Sequence, residues 1–174
     1  MPAIIYHVAV TLDGFICRPD GAFDCFPQSG PHVDDYLHEL SAYGVVLMGR
    51  KTYEVGLAFG VTNPYPHLES HVFSRTLAES PDPAVTLVRE GAIEHVRALA
   101  RRDGKPIYLC GGAELASALF QHELIDEVCL KVNPVLIGQG RPLIAGLPRD
   151  VALSLVSTKV YANGVIVTRH SVSR

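Results

Sequence analysis

The sequence contains no tryptophan, only four cysteines and no excess of basic side chains. The cysteines show neither C-x-x-C spacing nor the density of a disulfide framework, which argues against a zinc site and a secreted scaffold. Fifteen Lys and Arg residues stand against 18 Asp and Glu residues, so the formal net charge is −3. Because no basic surplus can neutralise phosphates, we expect no nucleic-acid partner and no membrane partner. No apolar run approaches the roughly 18 residues that a membrane span needs.

The composition is that of a globular protein. The 174 residues are 48% hydrophobic and 19% charged, which excludes intrinsic disorder. Since a domain averages roughly 150 residues, we expect residues 1–174 to form a single domain. The chain leads directly into Ile4, Ile5 and Tyr6 without the basic and apolar regions of a signal peptide, so we expect a cytoplasmic protein.

Apolar runs and helical patterns alternate over the first two thirds of the chain. Strands are predicted at residues 3–11, 45–48, 71–74, 84–88 and 107–110, with helices at residues 31–43, 52–57, 93–101 and 113–122. In the last third, Asn163-Gly164 separates two β-type runs, which indicates a hairpin. The pattern predicts an α/β fold: a three-layer α-β-α sandwich around a mixed central sheet, with a C-terminal antiparallel hairpin.

The first predicted helix has an apolar stripe of Val33, Leu37 and Leu40. These residues recur at helical spacing, so we expect them to face the core. Asp34 borders this stripe, whereas Asp35 points away from it.

Two strand-to-helix junctions contain glycine. Gly49 and Arg50 follow one buried strand, and Gly111 and Gly112 follow another. Glycine lets a ligand approach the backbone, and the N–H groups at a helix N-terminus attract a phosphate. Arg50 adds a planar fork for bidentate phosphate binding. Taken singly, the arginine is also compatible with a solvent-facing side chain and the glycine pair with a tight turn. Two such junctions in one domain are more informative than either alone, because they would place two phosphate-binding ends at the carboxyl edge of one sheet.

Five segments, in order along the chain, resemble the dihydrofolate reductase-like superfamily, and in particular the branch that contains the reductase domain of riboflavin biosynthesis. They are residues 8–16 (VAVTLDGFI), 46–54 (VLMGRKTYE), 71–77 (HVFSRTL), 107–120, and 132–144 with its PVLIG and GRPL runs. The resemblance implies an NADPH-dependent oxidoreductase.

The resemblance also implies a set of cofactor residues. Segment 49–52 would bind the adenosine phosphate and the pyrophosphate, and the pair at 74–75 would lie near the 2′-phosphate and adenine. The glycine pair and its neighbours would lie under the pyrophosphate and nicotinamide, and the backbone of the first strand would face the carboxamide. In full, these residues are Ala9, Gly49, Arg50, Lys51, Thr52, Ser74, Arg75, Cys110, Gly111, Gly112, Ala113 and Glu114.

On the substrate side, folate reductases carry a carboxylate on the first helix, and the resemblance leaves Asp34 and Asp35 as candidates for this catalytic role. Because Asp34 borders the apolar stripe, the role is expected of Asp34, which is alternatively a helix-start acid that stabilises the helix dipole. Asp13 is expected to approach the substrate or to form a plain turn. Asp24 lies where folate enzymes have a tryptophan, in a loop at residues 17–30 that would act as a lid, and is expected to contact substrate. Because that tryptophan is absent, ordinary folate reduction is not expected.

Three functions remain open. The expected one is transfer of a hydride to a C=N or C=O bond of a small pterin- or pyrimidine-like substrate. The alternatives are 5-amino-6-(5-phosphoribosylamino)uracil reductase and an NADP-binding protein without turnover. The H-x-E and P-C-x-x-C motifs of a zinc deaminase are absent. His67 and His71 lack H-E-x-x-H order, so no metal is expected. The resemblance implies a homodimer through the late strands and residues 135–143.

Overall fold

The computed structural model describes residues 1–173, which form ten strands and four helices. In chain order these are β1 (Ile4–Thr11), β2 (Phe15–Cys17), α1 (Pro31–Leu40), β3 (Val45–Gly49), α2 (Arg50–Ala58), β4 (Glu69–Phe73), β5 (Val85–Val88), α3 (Ala92–Ala100), β6 (Ile107–Gly111), α4 (Ala113–Gln121), β7 (Glu127–Asn133), β8 (Arg141–Pro142), β9 (Leu153–Val160) and β10 (Ile166–Val172).

Eight strands form one mixed sheet in the order β5-β4-β3-β6-β1-β7-β10-β9. All neighbours from β5 to β7 are parallel, whereas β10 is antiparallel to both β7 and β9. Strands β2 and β8 form a small antiparallel sheet. The predicted fold class, with its parallel units and C-terminal hairpin, is confirmed.

Only one residue of the hairpin turn has a positive φ. Gly164 has a φ of +84°, and the Tyr161 amide donates to the Val165 carbonyl. This is the geometry of a turn followed by a left-handed residue, rather than the two-residue Asn-Gly turn that the sequence suggests.

Helices cover both faces of the sheet and bury two hydrophobic clusters. On one face, Val96 and Leu99 of α3 and Leu119 of α4 pack against Leu47 and Leu109. The opposite cluster joins α1 and α2 to the sheet through Leu40, Tyr53, Met48 and Val72. Within residues 1–173, no helix is long and apolar enough to cross a membrane.

The buried face of α1 differs from the apolar stripe in the sequence. His32 and Leu40 are buried, whereas Leu37 is 58% exposed. His32 Nδ1 lies 3.2 Å from the Asn163 amide nitrogen, and the Tyr36 hydroxyl is 2.9 Å from that of Tyr108. Because polar partners from other elements satisfy these side chains, α1 can bury a row of mixed polarity.

This orientation of α1 can be tested by stability. Leu40→Ala removes a side chain that is 6% exposed, so we expect it to cost about 2–4 kcal/mol of unfolding free energy. Leu37→Ala is the matched control and should change stability by about 0.5 kcal/mol or less. Urea denaturation measures both. Equal losses in the two variants would contradict the observed packing of α1.

Candidate active site

A cavity of about 1120 Å³ runs along the carboxyl ends of the parallel strands. The two glycine junctions lie side by side in it because β3 and β6 are neighbours, with Met48 paired to Gly111. A Cβ atom on Gly49 would lie 3.3 Å from the backbone nitrogen of Gly112. The absence of a side chain at Gly49 therefore allows the two junctions to approach one another.

The Gly111–Gly112 junction has an unusual backbone. The peptide bond between the two residues is cis, and Gly111 has a φ of +134°. Cβ atoms on Gly111 and Gly112 would lie 3.6 and 3.5 Å from Thr52 Oγ1 on the other junction. Only glycine adopts this φ readily, so Gly111 is required by conformation as well as by space.

Three helices begin at the cavity without a side-chain cap. No side chain bonds the first amides of α2, α3 or α4, and Arg50, Ala92 and Ala113, where these helices start, line the cavity. Uncapped N-terminal amides carry partial positive charge and bind anions. These helix starts are therefore suited to an anionic group.

The structure brings the expected cofactor residues together, and every one of them lines this cavity: Ala9, Gly49, Arg50, Lys51, Thr52, Ser74, Arg75, Cys110, Gly111, Gly112, Ala113 and Glu114. Lys51 Nζ and Glu114 Oε1 are 3.6 Å apart and connect α2 with α4. The Ser74 hydroxyl accepts hydrogen bonds from the amides of Thr76 and Leu77, so it shapes the turn after β4.

The arginines that line the cavity differ in their partners. Arg50 Nη1 donates to both carboxylate oxygens of Glu54, at 2.8 and 2.9 Å. Arg75 lines the cavity and makes no hydrogen bond or ion pair with any described residue. Arg89, which sequence reasoning missed, also lines the cavity and donates to the Leu77 carbonyl at 2.9 Å. The sequence could have indicated Arg89, because Arg89 and Gly91 lie between a predicted strand and a predicted helix, as the residues of the other two junctions do.

Tyrosines line the other end of the cavity. The hydroxyls of Tyr36 and Tyr65 are 3.4 Å apart, and the Tyr65 hydroxyl is 3.2 Å from Cys110 Sγ. Burial raises the pKa of Tyr36 to about 12 and that of Tyr65 further. These hydroxyls stay protonated at neutral pH and act as hydrogen-bond donors. Phe23 and Phe26 of the 17–30 loop also line the cavity.

The expectation for Asp34 is not supported by the geometry. Asp34 is exposed and does not line the cavity, whereas Asp35 does. Asp35 Oδ2 accepts hydrogen bonds from Lys159 Nζ and, at 2.6 Å, from the Tyr161 hydroxyl. These two bonds, that of Lys159 first, lower the pKa of Asp35, so it is an ionised carboxylate with partners. Asp35 reaches the cavity and Asp34 does not because of the way α1 is rotated about its own axis.

Asp13 and Asp24 do not line the cavity either. Asp13 accepts from the Thr11 hydroxyl at 2.6 Å and from the amides of Ile137 and Gly138, which together lower its pKa. Asp24 pairs with Arg18 at 2.7 Å on the surface of the loop. Both carboxylates are already satisfied, so the structure does not support a substrate contact for either.

One cluster of possible metal ligands occurs in the part of the chain that the structure describes. Ligating atoms of His7, Glu39 and Cys129 lie within 4.8 Å of one another. Arg169 forms ion pairs with Glu39 and, at 3.1 Å, with Glu127, so the Glu39 carboxylate already has a cationic partner. Burial, followed by the charge of Arg169, lowers the pKa of His7 to about 3. We assign this cluster to polar packing between α1 and the sheet.

This fold and cavity define the dihydrofolate reductase-like class. The family model for the RibD C-terminal domain matches residues 2–167, and the chain belongs to that family. It is 31% identical to the uncharacterized protein YyaP of Bacillus subtilis strain 168, covering 94% of this chain and 91% of YyaP.

Solved structures share the fold over the whole chain. A Shewanella sp. PV-4 protein named for riboflavin biosynthesis matches with a TM-score of 0.85 and 24% identity, covering 100% of both chains. A dihydrofolate reductase from Enterococcus faecalis, complexed with NADP(H), matches with a TM-score of 0.72 and 16% identity, covering 100% of this chain and 97% of the reductase.

The different roles of the two neighbouring acids on α1 can be separated by pH. Because its folded pKa is depressed, Asp35 contributes stability that is complete above its ordinary pKa of 3.8 and is lost as the pH falls through the lower folded value. Asp35→Asn should remove this acid-dependent part, and Asp34→Asn should retain it. Urea denaturation between about pH 2.5 and pH 6 measures the effect. Equal acid sensitivity of the two variants would contradict the bridge from Asp35 to Lys159 and Tyr161.

Proposed function

We propose that this protein is an NADPH-dependent reductase that transfers a hydride to a C=N or C=O bond of a small pterin- or pyrimidine-like molecule. The observation that carries the proposal is the contact between the two glycine junctions, at Gly49 and Gly112, in one large cavity. Membership of the RibD C-terminal domain family supports it. Reduced nicotinamide, when bound, supplies the hydride.

The residues of the chain would bind the dinucleotide in two parts. The amides that begin α2 and α4 would hold the diphosphate, since they are uncapped and adjacent. Arg75 and Arg89 lie where a 2′-phosphate could be held, and Arg75 has no other described partner. The backbone of Ala9 would face the carboxamide.

The remaining walls would exclude water from the reaction. Phe23, Phe26 and Tyr108 also line the cavity, and they would surround the substrate beside the bound dinucleotide. A dry, low-dielectric site strengthens electrostatic interactions with the reacting atoms. The protein's contribution is thus to orient the two reactants and to keep bulk solvent away.

NADPH binding provides the first test. At a hundredfold excess over its Kd, NADPH should stabilise the protein by about 2.7 kcal/mol, which is roughly a 5–10 °C rise in Tm for a chain of this length. NADH should stabilise it less. Arg75→Ala should reduce the preference for NADPH by about 1.5–3 kcal/mol, because a charged hydrogen bond to the 2′-phosphate is lost.

Arg101→Ala is the matched control, since Arg101 is exposed and does not line the cavity. It should leave both thermal shifts unchanged. No shift with NADPH in the wild-type protein would refute the proposed function. Equal shifts with NADPH and NADH would refute the assignment of Arg75.

We also propose that the protein is a homodimer that associates through β9. This strand lies at the edge of the sheet, and every one of its residues is exposed. Leu155, Val156 and Val160 place apolar side chains there, and Leu136 is exposed in the 135–143 segment. An edge strand with apolar side chains on both faces is a site for pairing with a second chain.

Light scattering after size-exclusion chromatography tests the dimer. Val156→Lys should give a monomer, because a charge would be buried in an interface that covers about 800 Å² on each partner. Leu37→Lys, at an exposed apolar position on α1, is the control and should remain dimeric. A monomeric wild-type protein, or a dimeric Val156→Lys variant, would contradict this arrangement.

A further inference from the structure

The substrate end of the cavity has an unpaired positive charge. Lys131 lines the cavity from β7 and is half-buried. Its ammonium group makes no hydrogen bond or ion pair with any residue in the range 1–173. Burial lowers the pKa of Lys131, because the charged form loses hydration in the cavity wall. A cation in this state gains more from an anionic or strongly polar ligand than a solvated one does.

The carboxylates at the same end are already paired. Asp35 binds Lys159 and Tyr161, and Glu39 binds Arg169. Apart from the Gln28 amide, the polar side chains left available to a ligand can all donate: the Lys131 ammonium, the Arg141 guanidinium and the tyrosine hydroxyls. A ligand with amidine or guanidine donors needs an unpaired carboxylate, and this end offers none among the described residues.

The position of Lys131 connects it to the reacting centre of the proposed function. In the sheet, Lys131 pairs with Ala9 on β1 and with Val167 on β10. All three residues line the cavity, so they form one row across its floor. Lys131 therefore lies next to the strand residue that would face the nicotinamide.

We propose that the substrate end selects ligands by oxygen acceptors, either carbonyl or carboxylate, and that Lys131 is the residue that selects them. This inference rests on the proposed function and names its substrate class: a carbonyl compound. When the hydride adds to the carbonyl carbon, the π electron pair moves to oxygen, and the ammonium stabilises the resulting oxyanion. The proton that completes the alcohol comes from water.

Ionisable groups on the surrounding elements define the expected pH dependence. They are His7 on β1, Arg169 on β10, Arg141 on β8, Asp35, Tyr36 and Glu39 on α1, and Lys159 and Tyr161 at the hairpin. His7 is neutral, and the charges on α1, on β10 and at the hairpin are paired with one another. Binding of an anion should therefore weaken as the pH rises through the pKa of Lys131, which lies below 10.5.

Benzoate and benzamidine are suitable probes, because they are planar, similar in size and opposite in charge. Each is titrated into the protein saturated with NADP⁺, so that the phosphate-binding junctions are filled. We expect benzoate to bind the wild-type protein more tightly than benzamidine. Lys131→Met should weaken benzoate binding about ten- to hundredfold, the equivalent of one charged hydrogen bond, and Lys131→Arg should restore most of it.

Two controls separate this inference from others. Arg141→Ala removes the other cation that lines this end of the cavity and should change benzoate affinity less than Lys131→Met does. The thermal shift with NADP⁺ should be the same in all variants, which reports that each one folds.

A pH titration provides a further test. Across pH 6–10, where benzoate does not titrate, its affinity should fall for the wild-type protein and stay constant for Lys131→Met.

The outcomes are distinguishable. If NADP⁺ fails to stabilise the wild-type protein, both the proposed function and this inference are overturned. If NADP⁺ binds but benzamidine binds more tightly than benzoate, only the inference fails. It also fails if Lys131→Met binds benzoate as the wild-type protein does, or if Arg141→Ala causes the larger loss.

Discussion

The contact between two backbone segments, at Gly49 and Gly112, is the constraint on which the cavity depends. Parallel neighbours β3 and β6 end at the same edge, and their helices begin only a few ångströms apart. Two uncapped helix N-termini can be this close only if no side chain separates them. The positive potential at each N-terminus is therefore concentrated in one place, where a diphosphate can be held by the backbone alone.

The two glycine junctions could be predicted from the sequence because their determinants are local. A glycine between a buried strand and a helix is visible in the residue order, and strands of a parallel sheet place such junctions at one edge. The same reasoning would have identified Arg89 and Gly91. The fold class follows for a related reason, since apolar runs and the Asn163-Gly164 turn encode strands and a hairpin locally.

The substrate end could not be predicted in the same way because its charges are set by distant contacts. Asp34 and Asp35 are adjacent on α1, and only the packing of the helix decides which one reaches the cavity. The partners of Asp35 lie 124 and 126 residues away in sequence, so neither its bridge nor its ionised state could be inferred from α1 alone. The unpaired state of Lys131 could not be predicted either, because the alternating sequence of a strand does not indicate which of its side chains lack a partner.

The bridge from Asp35 to the hairpin gives β9 two roles. Lys159 belongs to the exposed edge strand and also holds a carboxylate in the cavity wall. A molecule that displaced Lys159 would free the Asp35 carboxylate in the wall. By thermodynamic reciprocity, a ligand whose binding depended on that carboxylate would alter the affinity of β9 for the same molecule. If the proposed dimer forms through β9, Lys159 would thus link its assembly to the filling of the cavity.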